Sequence, residues 1–241
     1  MNTRRMLITA LLLLSTPALA ALDLAGVSLG APITSVKEVF AQTSPELDIT
    51  PVMLDGVLVG YEGNLKPGKR ATEEFEALVA LADKSSQFVW MVGRKAELSN
   101  GQEIGPSVFQ KTLESKYGPP SATSTNLREA NFSATWIYPV TGPQYFGELP
   151  SSPCRNGEIA GTTDRVSLKD FKVPFEFYSE CKTIIYAEAK FNKAGLITSY
   201  QIALVDAQSA YTAAKAQMLA GKRAQERAVQ DILDRGNKPK L

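Results

Sequence analysis

Histidine is absent from the 241 residues, and cysteine occurs only twice, at Cys154 and Cys181. Without an imidazole, a serine nucleophile lacks its usual base, and transition-metal sites lose their commonest ligand. The cysteine pair has no CxxC spacing. In an oxidising compartment such a pair points to a structural Cys154–Cys181 disulfide rather than a metal or redox centre. On the chain-entropy model, closing that loop contributes about 3 to 4 kcal/mol.

A dominant charge is missing too. Lys and Arg number 26 against 25 Asp and Glu, and removing Arg4 and Arg5 with a leader leaves 24 against 25, about −1. That balance gives no electrostatic reason to expect nucleic acid or an anionic membrane as partner. Beyond the first twenty residues no run is long and apolar enough to span a bilayer.

The first twenty residues carry an address. Arg4 and Arg5 precede an apolar run from Met6 to Leu14, and Ala18-Leu19-Ala20 supplies the small-x-small pattern of signal peptidase. Nine residues, apolar apart from Thr9, before Ser15 and Pro17 fall short of the roughly 20 that span a bilayer, so a leader over 1–20, cleaved after Ala20, is expected rather than an anchor. No cysteine begins the mature chain, where a lipoprotein would carry its lipid. The expected product is soluble and periplasmic or secreted, with no integral membrane segment. Its length of about 220 residues and the 44% hydrophobic content of the chain suffice for a substantial core.

Periodicity outlines an α+β fold with helices packed on an antiparallel sheet. Leu22 to Leu29 reads as a short strand and turn, and Pro32 to Gln42 as a helix with Ser35 and Glu38 spaced as a capping box. Ile49–Leu54 and Val57–Glu62 form a hairpin candidate turning on Asp55-Gly56. Thr72 then resembles an N-cap, and Phe75, Leu78, Val79 and Ala82 fall on one helical face after it. A strand over Gln87–Gly93, apolar on both faces, is expected to be central.

The second half repeats the rhythm. A helix over Pro106–Tyr117 stops at Gly118-Pro119-Pro120, and strands follow at Asn131–Tyr138, Lys182–Phe191 and Leu196–Val205, the last two joined by Asn192 to Gly195. The α+β domain therefore covers 21–206, and the repetition allows two tandem modules, 21–104 and 105–206. Residues 207–241 form a long C-terminal helix and basic tail. Tyr211, Ala214, Met218, Val229 and Ile232 keep helical spacing there, and Lys222, Arg223, Arg227, Lys238 and Lys240 supply the charge. The expectation is a helix packed on the sheet with a solvated basic face; the alternative is a partner-docking arm.

Several patterns imitate chemistry. Gly26-Val27-Ser28-Leu29-Gly30 matches the GxSxG elbow, yet no histidine exists to serve Ser28 and no preceding sheet could strain the turn. Gly63 to Lys69 has Walker A spacing, but Arg70 stands where Ser or Thr should hold magnesium and Pro67 removes an N–H donor. Ser179 and Lys182 satisfy SxxK without companion motifs. Glu73, Glu74 and Glu76 suit a helix start and form no calcium loop. No catalytic, cofactor-binding or metal residue is therefore assigned, and no cofactor.

Residues 139–174 form a long loop rich in Pro, Gly and Ser, of a length that tends to be functional or disordered. Tyr145, Phe146, Phe171, Phe175, Phe177 and Tyr178 gather in and just after it and are the candidate partner-binding residues.

Two stretches carry a resemblance. Gly26 to Ile33 with Val36, and Phe109 to Pro120 ending Lys116-Tyr117-Gly118-Pro119-Pro120, are similar to small exported modules of the β-lactamase-inhibitor-like and outer-membrane-assembly lipoprotein (SmpA/OmlA) groups. The strand Phe191 to Ile202 is similar as well. The resemblance implies helices on an antiparallel sheet and work by protein binding, and it carries over no catalytic residue. The function expected is thus a non-catalytic exported protein binding another envelope or secreted protein, inhibitor-like or accessory. Two alternatives compete with it. An enzyme with an unfamiliar constellation would show a pocket of carboxylates with shifted pKa values, and a small-ligand carrier would show an apolar cavity.

Overall fold

The computed structural model describes residues 22–65, 75–126, 129–162 and 166–236. The leader over 1–20, the residues 66–70 of the Walker-like run and Thr72, Glu73 and Glu74 lie outside them.

The chain opens with a small hairpin, β1 (Asp23–Leu24) and β2 (Val27–Ser28), turning on Ala25 and Gly26 at φ of 50° and 77°. Ser28 therefore lies on a paired strand opposite Asp23. Helix α1 (Ile33–Thr43) follows, burying Ile33, Val36 and Phe40. Its capping box does not form: Pro32 is the N-cap, and the Ser35 hydroxyl donates instead to the Pro32 carbonyl.

Four antiparallel strands come next, β3 (Leu47–Leu54), β4 (Val57–Leu65), β5 (Phe75–Ala82) and β6 (Val89–Glu97). The β3–β4 turn uses Asp55 and Gly56 at φ of 50° and 78°, the left-handed geometry that matches strand twist. β5 corrects the helix expected after Thr72. The run Glu76 to Ala82 pairs with β4 and β6 and buries both of its faces, since Leu78 and Ala80 point to one core and Ala77, Val79 and Leu81 to the other. A short apolar run such as Ala77 to Ala82 fits a doubly covered strand as well as a helix, and here pairing on both sides decides.

The second half has helix α2 (Pro106–Tyr117), ended by Gly118 at φ 78°, then β7 (Ala122–Asn126) and β8 (Asn131–Pro139). Two single 3-10 turns (Leu149–Ser151 and Pro153–Arg155) and the short strands β9 (Ile159–Gly161) and β10 (Glu176–Tyr178) occupy the long connection to β11 (Cys181–Phe191) and β12 (Ile197–Asp206). Helix α3 (Ala207–Gly236) continues directly from β12.

One eight-stranded sheet results, in the order β3-β4-β5-β6-β12-β11-β8-β7. Each half contributes a helix and four antiparallel strands, and the last strands, β6 and β12, meet antiparallel in the middle. α1 and α2 cover the first face. Trp136, fully buried, anchors this layer: its ring packs on Tyr117 at 5.8 Å and its indole N–H donates to the Gly118 carbonyl at 2.8 Å. The second face is covered by the excursion between β8 and β11 and by the start of α3, around Val79, Met91, Phe171, Phe177 and Tyr211. Among the described residues no helix is long and apolar enough to cross a membrane.

α3 does not pack along its whole length. Ala207, Ala210, Tyr211 and Ala214 are buried on the second face, whereas every described side chain from Met218 onward is exposed. The expected docked helix is therefore a docked first half and a projecting second half.

A cleft on the second face of the sheet

The disulfide joins Cys154, in a 3-10 turn, to Cys181 at the start of β11, and so staples the excursion to a central strand. From that staple the chain returns as a strap over 166–178. Phe171 seats its ring on β6 at Gly93, where an added Cβ would lie 2.8 Å from the ring. Beside it, the Lys95 ammonium meets an Asp170 carboxylate oxygen at 3.2 Å. The second Asp170 oxygen is buried and has no hydrogen-bond partner among the described residues. At the strap's end Phe177 packs edge-on against Trp90, with ring centroids 5.6 Å apart.

α3 closes one flank through a three-way clamp. The Tyr211 hydroxyl and the Lys215 ammonium both donate to one oxygen of Glu158, at 2.8 and 2.7 Å. The hydrogen bond from Lys215, then that from Tyr211, holds the Glu158 carboxyl below its ordinary value, and Glu158 in turn raises the Lys215 ammonium.

Between strap and sheet lies a half-open cleft of about 690 Å³. Its floor is apolar, made by Met91, Ile184, Ala203 and Val205, and its rim carries Lys169, Asp170, Lys172, Glu176 and Glu188. The Tyr186 hydroxyl donates to Glu188 at 3.0 Å, two residues along the same face of β11. Burial, and then Glu188, push the Tyr186 phenol up to about 12. Strand register extends this polar margin: Lys95, Gln201, Glu188 and Ser133 fall in one transverse row across four strands, and beyond Lys95 the row passes through buried Ala77 to Asn64. Directly opposed residues share a face, so the row runs along the second face.

Of the six aromatic residues expected to meet a partner, Phe171, Phe177 and Tyr178 line this cleft, the first two as buried core. Tyr145 is half-buried and donates to the Glu148 carbonyl. Phe146 and Phe175 are exposed, at 60% and 42%, outside the cleft lining. The structure therefore joins three of the six at one site. Tyr186, Glu188 and Gln201 were not identified from sequence. The available signal was polar Tyr186 and Glu188 alternating with apolar Ile185, Ala187 and Ala189, which marks a face left partly uncovered.

The motif-like serines are tied to the backbone instead. Ser28 pairs within the opening hairpin, and the Ser179 hydroxyl accepts the Glu158 N–H at 3.0 Å. Among the described residues no group of three or more His, Cys, Asp or Glu is placed to hold a metal ion. Comparison with known protein families, characterised proteins and solved structures finds no match to this chain.

Proposed function

We propose that this is an exported, non-catalytic binding protein that takes a segment of another envelope or secreted protein into the cleft on the second face. The observation that carries the reading is the cleft's make-up, an apolar floor on central strands with five charged side chains also in its lining. An apolar centre with a charged rim is the usual anatomy of a protein-binding patch, and rigid strands hold its groups in place. The Cys154–Cys181 disulfide supports an oxidising compartment, in keeping with the leader pattern over 1–20. The resemblance to inhibitor-like exported modules points the same way.

A photo-reactive residue at Lys172 on the rim, compared with one at Lys193 in the distant β11–β12 turn, tests the reading in living cells. A protein adduct of defined mass is expected from position 172 and not from 193. No adduct at 172, or the same set from both positions, would overturn it.

The cleft's volume also favours a second reading, a small-ligand carrier, because ligand pockets occupy about 300 to 1,000 Å³. Native mass spectrometry separates the two: a carrier retains an added small mass that Gln201→Trp, filling the cleft, removes.

A further inference from the structure

We infer that the projecting half of α3 is a self-association arm, which pairs antiparallel with the same segment of a second copy about a two-fold axis at Gln225. Along α3 one stripe keeps alternating three- and four-residue spacing, with a single extra step of four: Ala207, Tyr211, Ala214, Met218, then Lys222, Gln225, Val229 and Ile232. Its first members are buried against the second face. Past Met218 the stripe continues into solvent, where Met218, Leu219, Val229, Ile232 and Leu233 are between 47% and 69% exposed. A three-four repeat is the seam of two paired helices, and most helical stability in proteins comes from packing such an amphipathic face.

The sequence of the arm selects the occupant. Its apolar residues sit at its two ends, with a polar middle between them. Turned end for end about Gln225, the arm matches itself at its apolar ends: Met218 of one copy faces Ile232 of the other, and Lys222 faces the level of Ala228. The two Gln225 side chains meet on the axis, where each amide can donate to and accept from the other. A polar residue at one seam position fixes register, which is the role this places on Gln225.

Charge favours the same orientation. Within 218–234, Lys222 and Arg223 lie in the first half, and Glu226, Arg227, Asp231 and Asp234 in the second, a net +2 against a net −2. Antiparallel pairing sets the basic half against the acidic half, whereas parallel pairing stacks like on like. Three basic and three acidic side chains in the segment leave no net repulsion between copies. Since all of these side chains are exposed, substituting them leaves both cores untouched.

Sedimentation of the exported chain, combined with single cysteines in the arm, tests the inference. The wild type is expected to sediment as a dimer, and Ile232→Asp, which puts a charge in the seam, to weaken it at least about tenfold. Gln225→Cys is expected to cross-link to itself on oxidation. Met218→Cys and Ile232→Cys should cross-link when combined in one chain, and neither alone. A monomer at every concentration with Gln225→Cys uncross-linked would overturn the inference. So would self-cross-linking of Met218→Cys alone, which signals parallel pairing, or cross-linking of the arm only to a different protein. Binding at the cleft is read separately at Lys172, so either result can fail without the other.

Discussion

Gly93 is where one missing atom decides how the second face is built. The Phe171 ring and Val79 both approach to 2.8 Å of the position a Cβ would take, so alanine there must displace the strap or part the central strands. Gly93→Ala is expected to cost about 1 to 3 kcal/mol, as overpacking does, and to speed hydrogen exchange in 166–174. Urea denaturation and exchange mass spectrometry would read the two effects. Trp136 makes the opposite case on the first face, since it has shape and a hydrogen bond to lose. Trp136→Phe leaves the Gly118 carbonyl without its indole donor, and a loss of about 1 to 2 kcal/mol in denaturation is expected.

At the scale of elements, the excursion between β8 and β11 depends on two ties. The first is the disulfide, whose loop spans 27 residues of separation. Cys154→Ser with Cys181→Ser is expected to lower stability by about 3.5 kcal/mol on the chain-entropy model, measurable by calorimetry with and without reductant.

The second tie is the Glu158–Lys215–Tyr211 clamp, and its pH dependence follows from the directions of the shifts. Glu158 titrates below its ordinary 4.5, so its contribution is complete above that value and is lost as the pH falls through the folded value. Lys215 titrates above 10.5, so its contribution is complete below that value and is lost at higher pH. The docked half of α3 should therefore loosen from β9 on acidification below about pH 4.5, and the methyl resonances of Ala210 and Ala214 should report it. Glu158→Gln should remove that acid transition.

These elements were unequally legible in the sequence. The Asp55-Gly56 hairpin, the helix ended by Gly118-Pro119-Pro120 and the Asn192–Gly195 turn are written in local chemistry, and each forms where the residues indicate. β5 was misread because Glu76 to Ala82 satisfies helical spacing and strand burial alike, and only β4 and β6 settle the matter. The short strands β9 and β10 take their form from each other across the long connection, and β7 from pairing with β8, so little in their own residues announces them.

For the molecule as a whole, two helix-plus-four-strand halves share one sheet, with helices on one face and a stapled strap on the other. The gathering of aromatic residues in and after the loop could be seen from composition, and three of the six line the cleft. The polar side of that cleft could not, because Gln201 and Glu188 become neighbours only through the register of β12 and β11. The alkaline behaviour of Tyr186 gives an optical check on that side. Its phenol, raised to about 12, should ionise late in an absorbance titration, and Glu188→Gln, which removes a hydrogen-bonded charge, should bring it earlier.

The most direct measurement is the affinity of the protein captured at Lys172 for the wild type and for two variants of equal thermal stability. Gln201→Trp fills the cleft, and Lys37→Glu alters only the exposed surface of α1 on the opposite face. If the second face is the working surface, Gln201→Trp weakens binding at least about tenfold and Lys37→Glu leaves it unchanged. Unchanged binding by Gln201→Trp, or a loss confined to Lys37→Glu, would contradict it.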